Sequence, residues 1–139
     1  MGTRRPLIVQ MTHDPAAQAP RCQLQDEEGD AYGEPLPEGA IAEALRDRAE
    51  AHLRRLGAPV SAKPMVMKVA FAFCPNLTII DTPGFILKAR AGEAESTPDD
   101  IRAMVKAQCA PPHRLILFLQ QSSVEWCSSL WTGVVQEVE

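Results

Sequence analysis

The sequence predicts an α/β domain with a mixed, mostly parallel sheet flanked by helices. Three observations support this. Residues 6–11 and 65–73 alternate apolar and polar with period two, the pattern of half-buried strands. Residues 77–81 (LTIID) and 115–119 (LILFL) are short, almost continuous apolar runs, as expected of strands covered on both faces. Between these runs lie segments whose apolar residues recur at helical spacing. The chain has 139 residues and is 45% hydrophobic, enough for a single domain with a buried core.

In chain order, Leu7, Val9 and Met11 share one face of the first predicted strand. Residues 12–39 are polar and rich in Pro, Gly, Asp and Glu; they read as a flexible surface insertion. Ile41, Leu45, Ala49, Leu53 and Leu56 form the apolar stripe of a helix over 40–56, which Gly57 and Pro59 end. Met65, Met67, Val69, Phe71 and Phe73 line one side of the next strand, and Lys68 on the other side argues against burial of both faces. After strand 77–81 a helix is predicted at 98–109. Thr97 is its N-cap, Pro98 its first helical residue, and Asp99 and Asp100 complement its positive end. Ile101, Val105 and Cys109 make its buried stripe. With strand 115–119 these pieces form a βαβ unit. A last helix is predicted over 123–138, opened by a Ser122/Glu125 capping box, with Val124, Cys127, Trp131, Val134 and Val138 inward and Trp126 outward.

Composition narrows the function classes. A net charge of -4 and a pI near 5.4 argue against a nucleic-acid binder. Cys22, Cys74, Cys109 and Cys127 are widely spaced, without a Cys-x-x-Cys pair or a zinc-type His spacing, and read as reduced thiols of a cytoplasmic protein. No apolar run reaches the roughly 18 residues of a membrane-spanning helix. The apolar stretch after Arg4-Arg5, Leu7-Ile8-Val9, is too short for a signal-peptide core. His13, His52 and His113 are dispersed and read as surface or capping residues. Ser122-Ser123 and Ser128-Ser129 lack a nucleophile elbow.

One segment carries chemistry. In Cys74-Pro75-Asn76-Leu77-Thr78-Ile79-Ile80-Asp81-Thr82-Pro83-Gly84 a buried strand ends on a carboxylate and breaks into a Pro-Gly loop. Nucleotide hydrolases use this arrangement to set an acid near Mg²⁺ and a backbone N–H near the terminal phosphate. Taken alone, Asp-x-x-Gly is equally compatible with an ordinary turn.

Combined with Thr3-Arg4-Arg5-Pro6 ahead of the first strand, the segment resembles the GTPase domain of the dynamin superfamily. Thr3 falls where that family has its switch I threonine, and Asp81-Thr82-Pro83-Gly84 where it has switch II. Pro98-Asp99-Asp100-Ile101, Leu115–Leu119 and Val135-Gln136-Glu137-Val138-Glu139 follow in the family's order. Animal members tend to have Leu at the position of Thr82; the Asp-Thr-Pro-Gly form and the Cys-Pro-Asn lead-in are closer to the plant and algal type. The resemblance implies that residues 1–139 are part of a P-loop (Ras-like) GTPase domain, from switch I to the helix after the fourth core strand. It implies GTP as substrate, with Mg²⁺ held by Thr3 and Asp81. Thr3 would also orient the attacking water, the Gly84 N–H would sense the γ-phosphate, and Thr82 and Pro83 would shape the loop. It further implies a homo-oligomer, membrane contact through regions outside this chain, and a cytoplasmic location peripheral to an organelle or division-site membrane.

Two family motifs are not found. None of Lys63, Lys68, Lys88 and Lys106 sits in a Gly-x-x-x-x-Gly-Lys-Ser/Thr loop, and no Lys is followed two residues later by Asp, as base recognition requires. The chain is therefore expected to be a fragment, inactive alone and prone to self-association along open strands. The alternatives are a non-catalytic interaction protein without nucleotide binding, or an unrelated α/β domain.

Overall fold

A computed structural model describes residues 4–119 and Gly133. The chain divides into two compact units, residues 1–83 and 84–139. The architecture is α/β with a mixed sheet, as the sequence predicts.

The first unit contains β1 (Leu7–His13), β2 (Arg21–Leu24), a 3₁₀ turn at Glu38–Ala40, α1 (Ile41–Leu56), β3 (Met65–Phe71) and β4 (Leu77–Asp81). Their order in the sheet is β2-β3-β1-β4. β1 runs parallel to β3, with Leu7 beside Met65, so β1-α1-β3 is the crossover unit. β4 runs antiparallel to β1, and β2 antiparallel to β3. Apolar periodicity explains the core: Cys22, Leu24 and Met67 are buried together, with Leu7, Val9, Leu36, Val69 and the α1 residues Ile41, Ala44 and Leu45 packed on them. α1 stops at Gly57, whose φ of 66° favours glycine. The Gly57 N–H donates to the Arg54 carbonyl at 3.3 Å and the Ala58 N–H to the Leu53 carbonyl at 3.3 Å, the two bonds of a Schellman motif.

Two expectations for this unit need correction. Strand 77–81 forms, but it is neither parallel nor covered on both faces. β1 is its sole strand partner among the described residues, and Leu77 and Ile79 are 49% and 46% exposed. Within residues 12–39, read as an insertion without periodicity, the chain builds β2. Cys22 bridges Leu36, and Gln25 bridges Tyr32, which folds the segment back on itself. Four-residue β2 is too short for period two to stand out, and its register comes from β3.

The second unit contains α2 (Thr97–Cys109). Ile101, Met104 and Val105 are buried, and Cys109 is half-buried. The helix begins one residue earlier than predicted. Ser96 occupies the cap position, and the Thr97 hydroxyl donates back to the Ala94 carbonyl at 2.6 Å instead of capping. Residues 115–119 form no strand. Leu115 is fully exposed, and Leu117 and Leu119 are largely so. The predicted βαβ unit over 77–119 is therefore absent among the described residues; an apolar run becomes a strand only where a partner takes up its backbone groups. The helix predicted over 123–138, with Trp126, Cys127 and Trp131, lies outside the described residues apart from Gly133.

Candidate functional site

The antiparallel register of β1 and β4 brings two chemically distinct segments to one end of the sheet. Asp81, the last residue of β4, pairs with Leu7, the first residue of β1. Arg4, Arg5 and Pro6 precede Leu7 directly, so the carboxylate ending β4 lies beside the Arg-Arg-Pro segment although the two are far apart in sequence. A cavity of about 240 Å³ opens there, lined by Arg4, Arg5 and Asp81 and, on its apolar side, by Leu45, Leu53 and Met65. Thr3 lies outside the described residues.

The Asp81 side chain accepts no hydrogen bond and joins no ion pair among the described residues. Desolvation pushes its carboxyl pKa above the ordinary aspartate value. Pro83 is buried and Thr82 half-buried; with them the first unit ends, and exposed Gly84 opens the second. A Cβ built on Gly84 would meet nothing within 4 Å, so packing does not require glycine there. Among the described residues no group of three or more His, Cys, Asp or Glu is gathered to hold a metal. Mg²⁺ does not need one. It keeps several waters and binds through one or two protein oxygens plus phosphate oxygens, and the unpaired Asp81 carboxylate fits that pattern.

Sequence reasoning missed a buried polar cluster beside this end of the sheet. Arg5 is 0% exposed. Its Nη1 and Nη2 donate to the two Glu27 carboxylate oxygens at 2.9 and 3.0 Å, a bidentate pair. Its Nε donates to the Lys63 carbonyl at 3.0 Å, and Nη2 also reaches the Pro64 carbonyl at 3.4 Å. His52, expected at the surface, is buried. Its Nε2 lies 3.0 Å from the Ser61 hydroxyl, which already accepts the Lys63 N–H at 3.2 Å. Its Nδ1 lies 3.6 Å from the Glu27 carboxylate and has no hydrogen-bond partner among the described residues. Burial, then the Arg5 charge, lowers the His52 pKa. Burial alone would raise that of Glu27, but the Arg5 hydrogen bonds and charge, with His52 and Lys63, hold it below the ordinary glutamate range. No sequence signal separates Glu27 from Asp26 and Glu28 beside it.

An α/β domain whose mixed sheet ends on an unpaired aspartate, followed by a Thr-Pro-Gly loop, has the character of part of a GTPase domain. The Dynamin family sequence model matches residues 1–139. Dynamin-related protein 5A of Arabidopsis thaliana is 59% identical over 140 residues, covering 100% of this chain and 17% of that protein. Dynamin-like protein ARC5 of the same plant is 34% identical over 99% of this chain and 18% of its own length. Dynamin-like protein C of Dictyostelium discoideum is 29% identical over 100% of this chain and 20% of its own length. The chain belongs to the dynamin family, a family of GTP hydrolases, and spans about a fifth of the length of these relatives. No described helix is long and apolar enough to cross a membrane.

Proposed function

We propose that residues 1–139 contribute the switch segments of a dynamin-type GTPase that couples GTP hydrolysis to membrane constriction or fission. The observation that carries this reading is the pairing of Asp81 with Leu7, which sets an unpaired carboxylate beside the chain that follows Thr3. In this reading Asp81 and Thr3 hold Mg²⁺, and Thr3 orients the attacking water. The Gly84 N–H meets the γ-phosphate, with Thr82 and Pro83 fixing the turn. Mg²⁺, when bound with GTP, neutralises charge developing on the phosphate oxygens. The chain's own part is to present oxygens and an N–H in fixed positions, and loss of the γ-phosphate releases the loop. The complete protein forms homo-oligomers, and its place is cytoplasmic, at the surface of an organelle or division-site membrane. The relatives named dynamin-like and dynamin-related motivate both statements.

The test is Mg²⁺-dependent GTP turnover by the full-length protein and by its Asp81→Ala and Gly84→Ala variants. Neither substitution removes a packing or hydrogen-bond partner among the described residues, so both variants should melt with the parent; Asp81→Ala should lose at least about 100-fold in kcat, and Gly84→Ala, which keeps the backbone N–H, should lose far less. Turnover unchanged in both would refute the assignment.

A non-catalytic alternative rests on one observation, the absence of a Gly-x-x-x-x-Gly-Lys-Ser/Thr loop within the chain. It predicts no GTP turnover by the full-length protein.

A further inference from the structure

A buried guanidinium is costly unless it is well paired, and here four of its five N–H groups have acceptors. The Arg5 fork meets both Glu27 oxygens, and its remaining contacts go to the carbonyls of Lys63 and Pro64. The backbone around Arg5 is tied to the same stretch. The Ser61 N–H donates to the Arg4 carbonyl at 3.1 Å, and the Met65 N–H to the Pro6 carbonyl at 2.9 Å. Glu27 itself comes from the fold between Gln25 and Tyr32, whose root is held by the Arg48 guanidinium on the Gln25 carbonyl. Lys63 Nζ donates to the Glu27 carbonyl, and His52 closes the buried side of the cluster. Three separate parts of the chain therefore converge on the two residues before Pro6. Hydrophobic packing alone would not select a rigid bidentate geometry at this point.

We propose that Glu27 is a positioning residue for GTP hydrolysis: acting through Arg5, it holds Arg4–Pro6, the chain immediately after Thr3, at the sheet end where β4 delivers Asp81. This rests on the switch reading above. Glu27 touches no reacting atom; it limits where the segment carrying Thr3 can start. A loose root would leave GTP affinity largely intact and reduce the fraction of bound states with the water aligned.

The experiment uses the full-length protein, with steady-state GTP turnover, thermal melting and amide hydrogen exchange on each variant. Glu27→Gln and Arg5→Lys should lower kcat by about tenfold or more, with KM for GTP within about threefold of the parent. Glu27→Asp, which keeps the charge, should recover part of the loss. The double variant Arg5→Met/Glu27→Leu replaces the ion pair by apolar groups and should melt near the parent, yet keep the low kcat. Glu28→Gln should match the parent, since among the described residues Glu28 pairs only with Arg55 and Lys63, at the exposed surface. A double variant that regains parental kcat would reduce the pair to a stability role and overturn the proposal, as would an unchanged kcat in Glu27→Gln. Exchange at the Ser61 and Met65 amides reads the tether directly. Faster exchange in Glu27→Gln is expected, and unchanged protection overturns the proposal whatever the turnover. A parent that hydrolyses no GTP refutes the switch reading, and with it any role for Glu27 in hydrolysis.

Discussion

β3 and β4 lie in the same sheet, and each takes one edge of β1. β3 has strands on both sides and buries Met65 and Met67; among the described residues β4 has β1 alone and leaves Leu77 and Ile79 about half exposed. Their sequence patterns predict the reverse: LTIID reads as a strand covered on both faces, and MVMKVAF, with Lys68 on one side, as a half-buried one. Apolar content states how much a strand stands to gain from cover, whereas topology decides whether cover is present.

Disrupting the buried side should have the largest effect. Glu27→Ala leaves Arg5 charged and unpaired inside the protein, and urea unfolding should show a loss of about 3–5 kcal/mol. A loss below about 1 kcal/mol would mean that water reaches the Arg5 site.

The two strands can then be set against each other. Met67→Ala should cost about 2–5 kcal/mol, because β2, β3 and α1 close around that side chain. Ile79→Ala on β4 should cost under about 1 kcal/mol. Equal losses would show that β4 is covered in solution, for example by another copy. Sedimentation would test that directly, and Ile79→Lys should then dissolve the association.

A smaller effect is expected at the end of α1. Gly57→Ala places a Cβ at a φ of 66° and should cost about 1 kcal/mol, read by the same unfolding curve.

The smallest and most specific effect is on pH dependence. The pKa of His52 is lowered in the folded state, so the unfolded chain binds the extra proton first. Stability from this site is complete above the ordinary histidine value of about 6.5 and declines as pH falls toward the folded pKa. Glu27, also lowered, adds a further loss as pH falls below about 4.3. Asp81 is raised and has the opposite sign: its contribution is complete below about 3.9 and is lost as pH rises through its folded value. Between about pH 7 and 5 His52, which faces Arg5, Glu27, Arg55 and Lys63, should therefore contribute a slope along which stability falls as pH falls. His52→Gln should flatten it, and an unaltered slope would assign the titration elsewhere.

Local patterns made most of the elements legible. Period two marked β1 and β3, a helical stripe with Gly57 behind it marked α1, and Pro98 with paired aspartates marked the start of α2. The carboxylate ending β4 was visible for the same reason, since a strand, an acid and a Pro-Gly break are contiguous. Long-range relations were not legible. No local signal says that β4 pairs antiparallel with β1, that Cys22 and Leu24 complete the core, or that LILFL at 115–119 has no strand partner among the described residues. The Arg5–Glu27–His52 cluster belongs to this class. Its members are ordinary charged residues until folding brings three separate segments together.

The central claim is that this chain supplies switch segments but not a phosphate cradle. Its most direct test is calorimetric titration of residues 1–139 with GTP and Mg²⁺. With no Gly-x-x-x-x-Gly-Lys-Ser/Thr loop in the chain, no binding stronger than about 1 mM is expected, some 4 kcal/mol short of micromolar affinity. Micromolar binding by residues 1–139 alone would contradict the account.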